Sequence, residues 1–293
     1  MRDREPPASV LVISLRYLGD TLLLRPVFRA LRAALPQARL SALVTCGTGI
    51  ALEGSPHIDD VIEWPRRSVM GEVRVLAGLF ARSYDWAIDF TGNDRTALAT
   101  LASRASLRVA YERKRLPRWA LRRAAYNLRA PQKRHKPHTL VTRLELLEAC
   151  GVPSQGTSIG LQPDPVASDR VQGMIAGLGG PRLHLHLTSR DMQKAIPTDV
   201  ANFIAREAVQ RGWSITATSG PGDAEQSHLA RALEGTPGDR VRTFSKLSWQ
   251  ELVAMIDAAD AYWGCDTAPA HIAAGLEKRM RVEFGPSNAT HWA

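Results

Sequence analysis

Along most of its length the chain alternates short apolar runs with stretches of helical periodicity, and no other feature restricts its fold as much. Apolar runs stand at residues 10–15, 40–44, 61–64, 86–90 and 107–110, then at 182–187, 214–218, 241–244, 261–263 and 280–284. Residues 21–35, 69–83, 95–103, 139–149, 197–211, 224–234 and 249–259 repeat apolar positions every three or four residues, the spacing of a half-buried helix. Strands that alternate with helices build parallel sheets covered on both faces, so the fold class is α/β and doubly wound. A stretch rich in Pro, Gly, Ser and Gln interrupts the alternation, and residues 153–168 are taken as a linker. Two Rossmann-like domains are expected on either side, 1–152 and 169–293, facing a cleft. Such sheets bind ligands at the carboxyl ends of their strands.

The loops at those ends are therefore the place to look for chemistry. The most informative is the run Gly264, Cys265, Asp266, Thr267, Ala268, Pro269, Ala270, His271, where a strand turns into a helix opened by proline. Proline suits the first turn of a helix, and the free N–H groups there attract an anion. Asp266 or Thr267 acting as a plain helix cap is the commoner reading of this stretch alone. Recurrence changes the balance. Thr188, Ser189 and Lys194 follow another strand, the Ser219 to Asp223 loop with Glu225 a third, and Gly19 with Asp20 the first. Hydroxyls, a lysine and a helix start suit phosphates, and a carboxylate suits ribose hydroxyls.

Charge adds a second signal. Twelve of the 38 Lys and Arg residues fall between positions 108 and 143 with Glu112 as the lone carboxylate, so this segment carries +11 and the remainder −2. Within it Leu116, Trp119, Ala120, Ala124 and Leu128 fall at helical spacing among Arg115, Arg118, Arg122 and Arg129, a cationic amphipathic pattern. It reads as a solvated face or as a surface for an anionic partner. No nucleic-acid motif accompanies it, which argues against RNA or DNA.

Other features exclude functions. No apolar run approaches the roughly 18 residues of a membrane span, and no signal peptide precedes residue 10, so a cytoplasmic protein is expected. Cys46, Cys150 and Cys265 are odd in number and far apart, as suits reduced thiols without metal-ligand spacing. Cys46-Gly47-Thr48-Gly49 lacks the third glycine of a dinucleotide fingerprint and reads as an ordinary loop. His184 and His186 share one strand face without a carboxylate or cysteine partner, so a packed or cleft-lining pair is expected there rather than a metal.

Taken in order, several motifs resemble those of glycosyltransferase family 9, the ADP-heptose:lipopolysaccharide heptosyltransferases. They are the opening run Val10 to Ile13 through Leu18, Gly19, Asp20, Thr21 to Pro26, then Ile58 to Ile62, the 188–197 stretch, Asp266 to His271, and Phe284, Gly285, Pro286, Ser287. The resemblance spans nearly the whole chain. It implies a GT-B fold, with the acceptor on the first domain and the nucleotide sugar on the second, and inversion at the anomeric carbon with neither metal nor cofactor. Asp20 resembles the general base. Thr188, Ser189, Lys194, Glu225, Asp266, Thr267, Ala268 and His271 resemble the contacts to an ADP-linked donor, with Glu225, or Asp223 in its place, on the ribose. Arg115, Arg118, Arg122 and Arg123 are assigned to an anionic glycolipid acceptor and to the inner leaflet holding it, which makes the enzyme peripheral on the membrane.

The chain departs from the family pattern at Ala268, where glycine is usual, and at Ile196, where tryptophan precedes Pro197. Arg281 and Glu283 interrupt what should be a buried last strand, and the family's C-terminal helix would lie beyond Ala293. A relative that binds nucleotide or polyanion without turnover is the alternative.

Overall fold

The computed structural model describes residues 5–112, 120–131, 138–286 and 289–292. They form two compact units, Met1–Ser158 and Ile159–Ala293, and the division falls within the 153–168 stretch.

In the first unit the order is β1 (Ser9–Ser14), α1 (Leu18–Leu22), α2 (Arg25–Ala34), β2 (Arg39–Thr45), β3 (Asp60–Trp64), α3 (Val69–Arg82), β4 (Trp86–Asp89), α4 (Asp94–Ala102), β5 (Leu107–Tyr111), α5 (Ala120–Ala125), β6 (Leu128–Ala130) and α6 (Thr139–Glu148). The strands lie β3-β2-β1-β4-β5-β6, and the pairs are all parallel. Successive side chains of a strand point to opposite faces. Val10 and Val12 of β1 accordingly pack with Val27, Phe28 and Leu31 of α2 and Leu144 and Leu147 of α6. Leu11 and Ile13 pack on the other face with Leu79 of α3 and Ala99 of α4.

The second unit runs α7 (Pro165–Met174), β7 (Arg182–His186), α8 (Thr198–Gln210), β8 (Ser214–Thr218), α9 (Asp223–Ala232), β9 (Val241–Phe244), α10 (Trp249–Asp257), β10 (Ala261–Cys265), α11 (Ala268–Gly275), β11 (Arg279–Glu283) and α12 (Ala289–Trp292). Its parallel strands lie β11-β10-β7-β8-β9. One face is apolar, with Leu185, Leu187, Ile215 and Ala217 under α8 and α9. The other face of the central strands is buried and polar. His184 bridges Thr216 and Thr218 at 3.0 Å each, His186 meets Thr218 at 2.9 Å, and the His184 ring stacks on Tyr262 at 5.9 Å. Burial holds these imidazoles well below their ordinary pKa, His184 to about 3 and His186 to about 4. They are packed neutral residues, as their sequence context suggested.

Several elements differ from the expectation. The periodic stretch 21–35 is two helices, because Pro26 stands in the first turn of α2 and has no N–H with which to continue α1. Asp20 lies inside the first of them rather than in a loop before a helix. Leu128, placed on a cationic helix by its spacing, belongs to the short strand β6. Residues 113–119, including Arg115 and Arg118, lie outside the described residues. Part of the 153–168 stretch is helical, since Asp164 caps α7 by accepting from the Ala167 N–H at 2.8 Å. The last strand, β11, is an edge strand, and Arg281 and Glu283 on it pair at 2.7 Å. Its charges face outward where a buried strand was expected.

The Cys46 to Gly49 loop is an ordinary one for a visible reason. Glu63 accepts from the N–H groups of Gly47 and Gly49 at 3.0 and 3.1 Å and so fills the place an anion would take. A Cβ on Gly49 would lie 2.8 Å from that carboxylate and from Val61, which excludes larger residues.

Candidate active site

Each sheet reverses its strand order beside its first strand, between β1 and β4 and between β7 and β10. Ligands of open α/β sheets bind outside the carboxyl ends at such switch points. The residues singled out above collect at these two places.

In the first unit the loop after β1 leads directly into α1, whose third residue is Asp20. Asp20 is 6% exposed and does not cap the helix, since the N-cap of α1 is Tyr17 and no side chain caps it. Instead two guanidiniums hold one carboxylate oxygen. Arg143 of α6 donates from Nη2 to Oδ1 at 2.9 Å and from Nη1 to the Asp20 carbonyl at 2.5 Å, and Arg16 Nε lies 3.2 Å from Oδ1. Arg143 is itself 4% exposed and lies over the Phe90 ring at 5.9 Å. Burial lowers its pKa and the Asp20 charge acts against that shift. Oδ2 is the oxygen that neither guanidinium takes.

The neighbouring loop is tied to the same place. Thr91 Oγ1 accepts from the Leu15 N–H at 3.0 Å, which links the ends of β4 and β1. Asp89, at the end of β4, accepts from the Thr91 and Gly92 N–H groups at 2.7 and 3.0 Å and from the Tyr126 hydroxyl at 2.5 Å. Its burial raises the carboxyl pKa, and these hydrogen bonds oppose the rise.

In the second unit Lys194, beyond β7, and Asp266, beyond β10, meet across the switch point. Nζ lies 3.2 Å from Oδ2, with Asp266 buried and Lys194 partly exposed. The capping reading of Asp266 and Thr267 does not hold. Thr267 is the N-cap residue of α11, but its hydroxyl bonds the Cys265 carbonyl at 3.3 Å and no side chain caps the helix. The first-turn N–H of Ala268 is thus left as at any uncapped helix start. Ala268 begins the helix in ordinary geometry, so the glycine usual there is not needed for backbone conformation. His271 sits one turn further in and is 9% exposed.

Two hydroxyls complete this end. Thr188 Oγ1 and Ser219 Oγ, beyond β7 and β8, are buried and have no hydrogen-bond partner among the described residues. A buried polar group left unpaired costs about 1–3 kcal/mol, so such groups call for a ligand or water. Ser189 accepts from the Asp191 N–H at 3.2 Å and shapes its own turn. The Glu225 carboxylate lies against Gly220, so closely that any Cβ there would collide with it.

The structure thus brings together Thr188, Lys194, Asp266, Thr267 and Ala268, with Ser219 as a further member. Of the arginines assigned to an acceptor, Arg122 is committed to Asp94 at 2.5 Å and Arg123 is exposed. Sequence reasoning missed Arg143. The three-residue step from Leu140 and the four-residue step to Leu147 put it on the buried stripe of α6, and a charge on that stripe was the available signal.

Known proteins resemble this chain in sequence and in fold. The sequence profile of glycosyltransferase family 9 (heptosyltransferase) matches residues 73–293, which include Arg143, Lys194 and the Asp266 turn but begin after Asp20. Lipopolysaccharide heptosyltransferase 3 of Escherichia coli K12 is 25% identical over 291 residues, covering 95% of this chain and 83% of that protein. The crystal structure of the family 9 glycosyl transferase of Veillonella parvula DSM 2008 matches with a TM-score of 0.84 at 19% identity, over 97% of this chain and 82% of that one. E. coli heptosyltransferase WaaC with ADP matches with a TM-score of 0.74 at 21% identity, over 96% and 88%. These superpositions establish the GT-B fold. With the family profile covering well over half of the sequence, the chain belongs to glycosyltransferase family 9 and is a glycosyltransferase of the heptosyltransferase type.

Proposed function

We propose that the protein transfers heptose from ADP-heptose to an anionic glycolipid acceptor of the lipopolysaccharide inner-core type, with inversion and without a metal, at the cytoplasmic face of the membrane. The observation that carries this reading is the unsatisfied end of the second sheet. Among the described residues there, Lys194, the uncapped start of α11 and the orphan hydroxyls of Thr188 and Ser219 offer positive charge and donors, with Asp266 as the internal anion. A diphosphate supplies the missing acceptors. The similar proteins support the choice of donor, since one is described as an ADP-heptose lps heptosyltransferase and another was solved with ADP.

In the transfer step Asp20 Oδ2 accepts the proton of the acceptor hydroxyl as its oxygen bonds the anomeric carbon. The bond from that carbon to the β-phosphate oxygen breaks, and the electron pair leaves with ADP. Charge growing on the diphosphate is met by Lys194 and by the α11 amides, groups already in place before the reaction. Arg143 and Arg16 fix Asp20 by its other oxygen. Glu225 is suited to the ribose hydroxyls.

The test is incubation with ADP-heptose and an inner-core acceptor in the presence of EDTA. Mass spectrometry should show one added heptose, and NMR the inverted anomer. Saturable ADP binding with no transfer would assign the chain to the non-catalytic alternative.

A further inference from the structure

Surface helices normally turn their apolar stripe inward and their charges to solvent. The helix α3 does the reverse on its outer half. Leu79 is its one fully buried residue, and with Val75 and Leu76 it packs on the sheet. At about 100° per residue, Met70, Val73, Ala77, Phe80 and Ala81 share the opposite half, with Val69 at its edge. All six are exposed, Val69 by 80%, Met70 by 72%, Phe80 by 56% and Val73 by 53%.

The charges around this face have one sign. Arg66, Arg67, Arg74 and Arg82 are exposed, and the exposed Arg104 places its guanidinium over the Phe80 ring at 4.9 Å. Glu72, the carboxylate of the helix, is turned inward, where it accepts from the Trp64 indole at 3.2 Å and lies 3.7 Å from Arg95. Apolar side chains framed by cations are complementary to a bilayer whose surface is anionic and whose interior is hydrocarbon. A second copy of the chain fits poorly, because a two-fold contact would bring together two copies of one face rimmed by Arg66, Arg67 and Arg74, all of one charge. Position agrees as well. The α3 helix starts at the carboxyl end of β3, and α1 with Asp20 starts at the same end of the parallel β1.

We infer that the outer face of α3 is a membrane-docking surface that inserts Val69, Met70, Val73 and Phe80 into the headgroup boundary of an anionic leaflet, with the flanking arginines on lipid phosphates. This deepens the proposed function, which places the acceptor in such a leaflet.

The experiment is co-sedimentation of the full chain with phosphatidylethanolamine vesicles with and without phosphatidylglycerol, free of donor and acceptor. Wild type should bind the phosphatidylglycerol vesicles and lose binding as salt rises. Val69→Asp with Met70→Asp, and separately Arg66→Gln, Arg67→Gln and Arg74→Gln together, should each lower the partition coefficient by about tenfold or more. Melting temperature should not change, since these side chains are exposed. Wild-type binding in the Asp variant would overturn the inference and leave the 108–143 segment as the membrane contact. So would a concentration-dependent dimer that the same substitutions abolish. Vesicle binding involves no turnover, so it stands or falls apart from the glycosyl-transfer reading. Transfer to a delipidated, soluble acceptor should be unchanged in the α3 variants.

Discussion

The two sheets share a topology and finish their switch points in opposite ways. The first unit fills the space mainly with charge already matched, Asp20 on Arg143 and Arg16 and Asp89 on two amides and a tyrosine, although the buried Ser14 hydroxyl at the end of β1 has no partner among the described residues. The second leaves polar groups unmatched at the strand ends and lines the neighbouring face with neutral histidines and threonines. A base must be held in one orientation before the substrate arrives, which a self-satisfied network does. A diphosphate site must offer donors beyond those used internally, and here Lys194 is on Asp266 while the Thr188 and Ser219 hydroxyls and the start of α11 are open among the described residues. Under the proposed function, the contrast between the two ends is a division of chemical labour.

Acid should expose the contrast most strongly. Folded His184 and His186 take protons only near pH 3 and 4, whereas an unfolded imidazole does so near 6.5. Between these values the unfolded chain binds more protons, so stability of the second unit is intact above about pH 6.5. It falls as pH drops, and each histidine contributes a loss of about 1.4 kcal/mol for every pH unit between its unfolded and folded pKa. Asp89 has the opposite sign. Its raised pKa gives the first unit a contribution that is full at low pH and lost as pH rises through the folded value. Methyl NMR from pH 7 to 4.5 should show the second unit loosening first. Simultaneous loss in both units would break the comparison.

Next in size is Arg143→Met, which strands the buried Asp20 charge. Removing one partner of a buried pair costs about 3–5 kcal/mol, to be read from urea unfolding. Combining it with Asp20→Leu should recover much of the loss, because no lone charge remains. An additive double variant would mean the pair is not coupled.

Lys194→Ala tests the other end and should weaken ADP binding by about 1.5–3 kcal/mol in calorimetry, the value of a hydrogen bond to a charged group. Thr188→Val should have a smaller and more diagnostic effect. It removes a hydroxyl that has no partner among the described residues, so stability should hold or rise, while ADP affinity falls by about 0.5–1.5 kcal/mol. Lower stability with unchanged affinity would show that the hydroxyl serves the fold.

How much of this was legible in the sequence follows the same division. Strand runs are read from local composition, and Lys194 and Asp266 were readable as strand-end residues because both stand in short contiguous motifs, which the resemblance to family 9 repeats. Arg143 is 123 positions from Asp20, and nothing local marks the pair. It looked like one more cation in a basic segment, although its place on the buried stripe of α6 was readable. Strand β6 was hidden because Leu128 also fits a helical spacing, and three residues are too few to show a period of two. The start of α7 was hidden by its loop-like composition, yet Asp164 before Pro165 is a cap followed by a first-turn proline. That the Thr188 and Ser219 hydroxyls lack partners among the described residues is a property of packing alone. Nor is Asp20 the cap of a helix beginning at Thr21, because α1 already starts at Leu18.

The central claim is that Asp20 is a base, held by Arg143 rather than spent on it. Asp20→Asn tests this most directly, since the amide keeps the shape and cannot accept the proton. Because Arg143 then faces a neutral partner, transfer should be measured at a temperature where the variant is folded and normalised to sites counted by ADP titration. With ADP-heptose and an inner-core acceptor, kcat should fall by about 10²–10⁴-fold while ADP affinity holds. A rate within a few-fold of wild type would contradict the account and leave the Asp20–Arg143 pair as a structural tie.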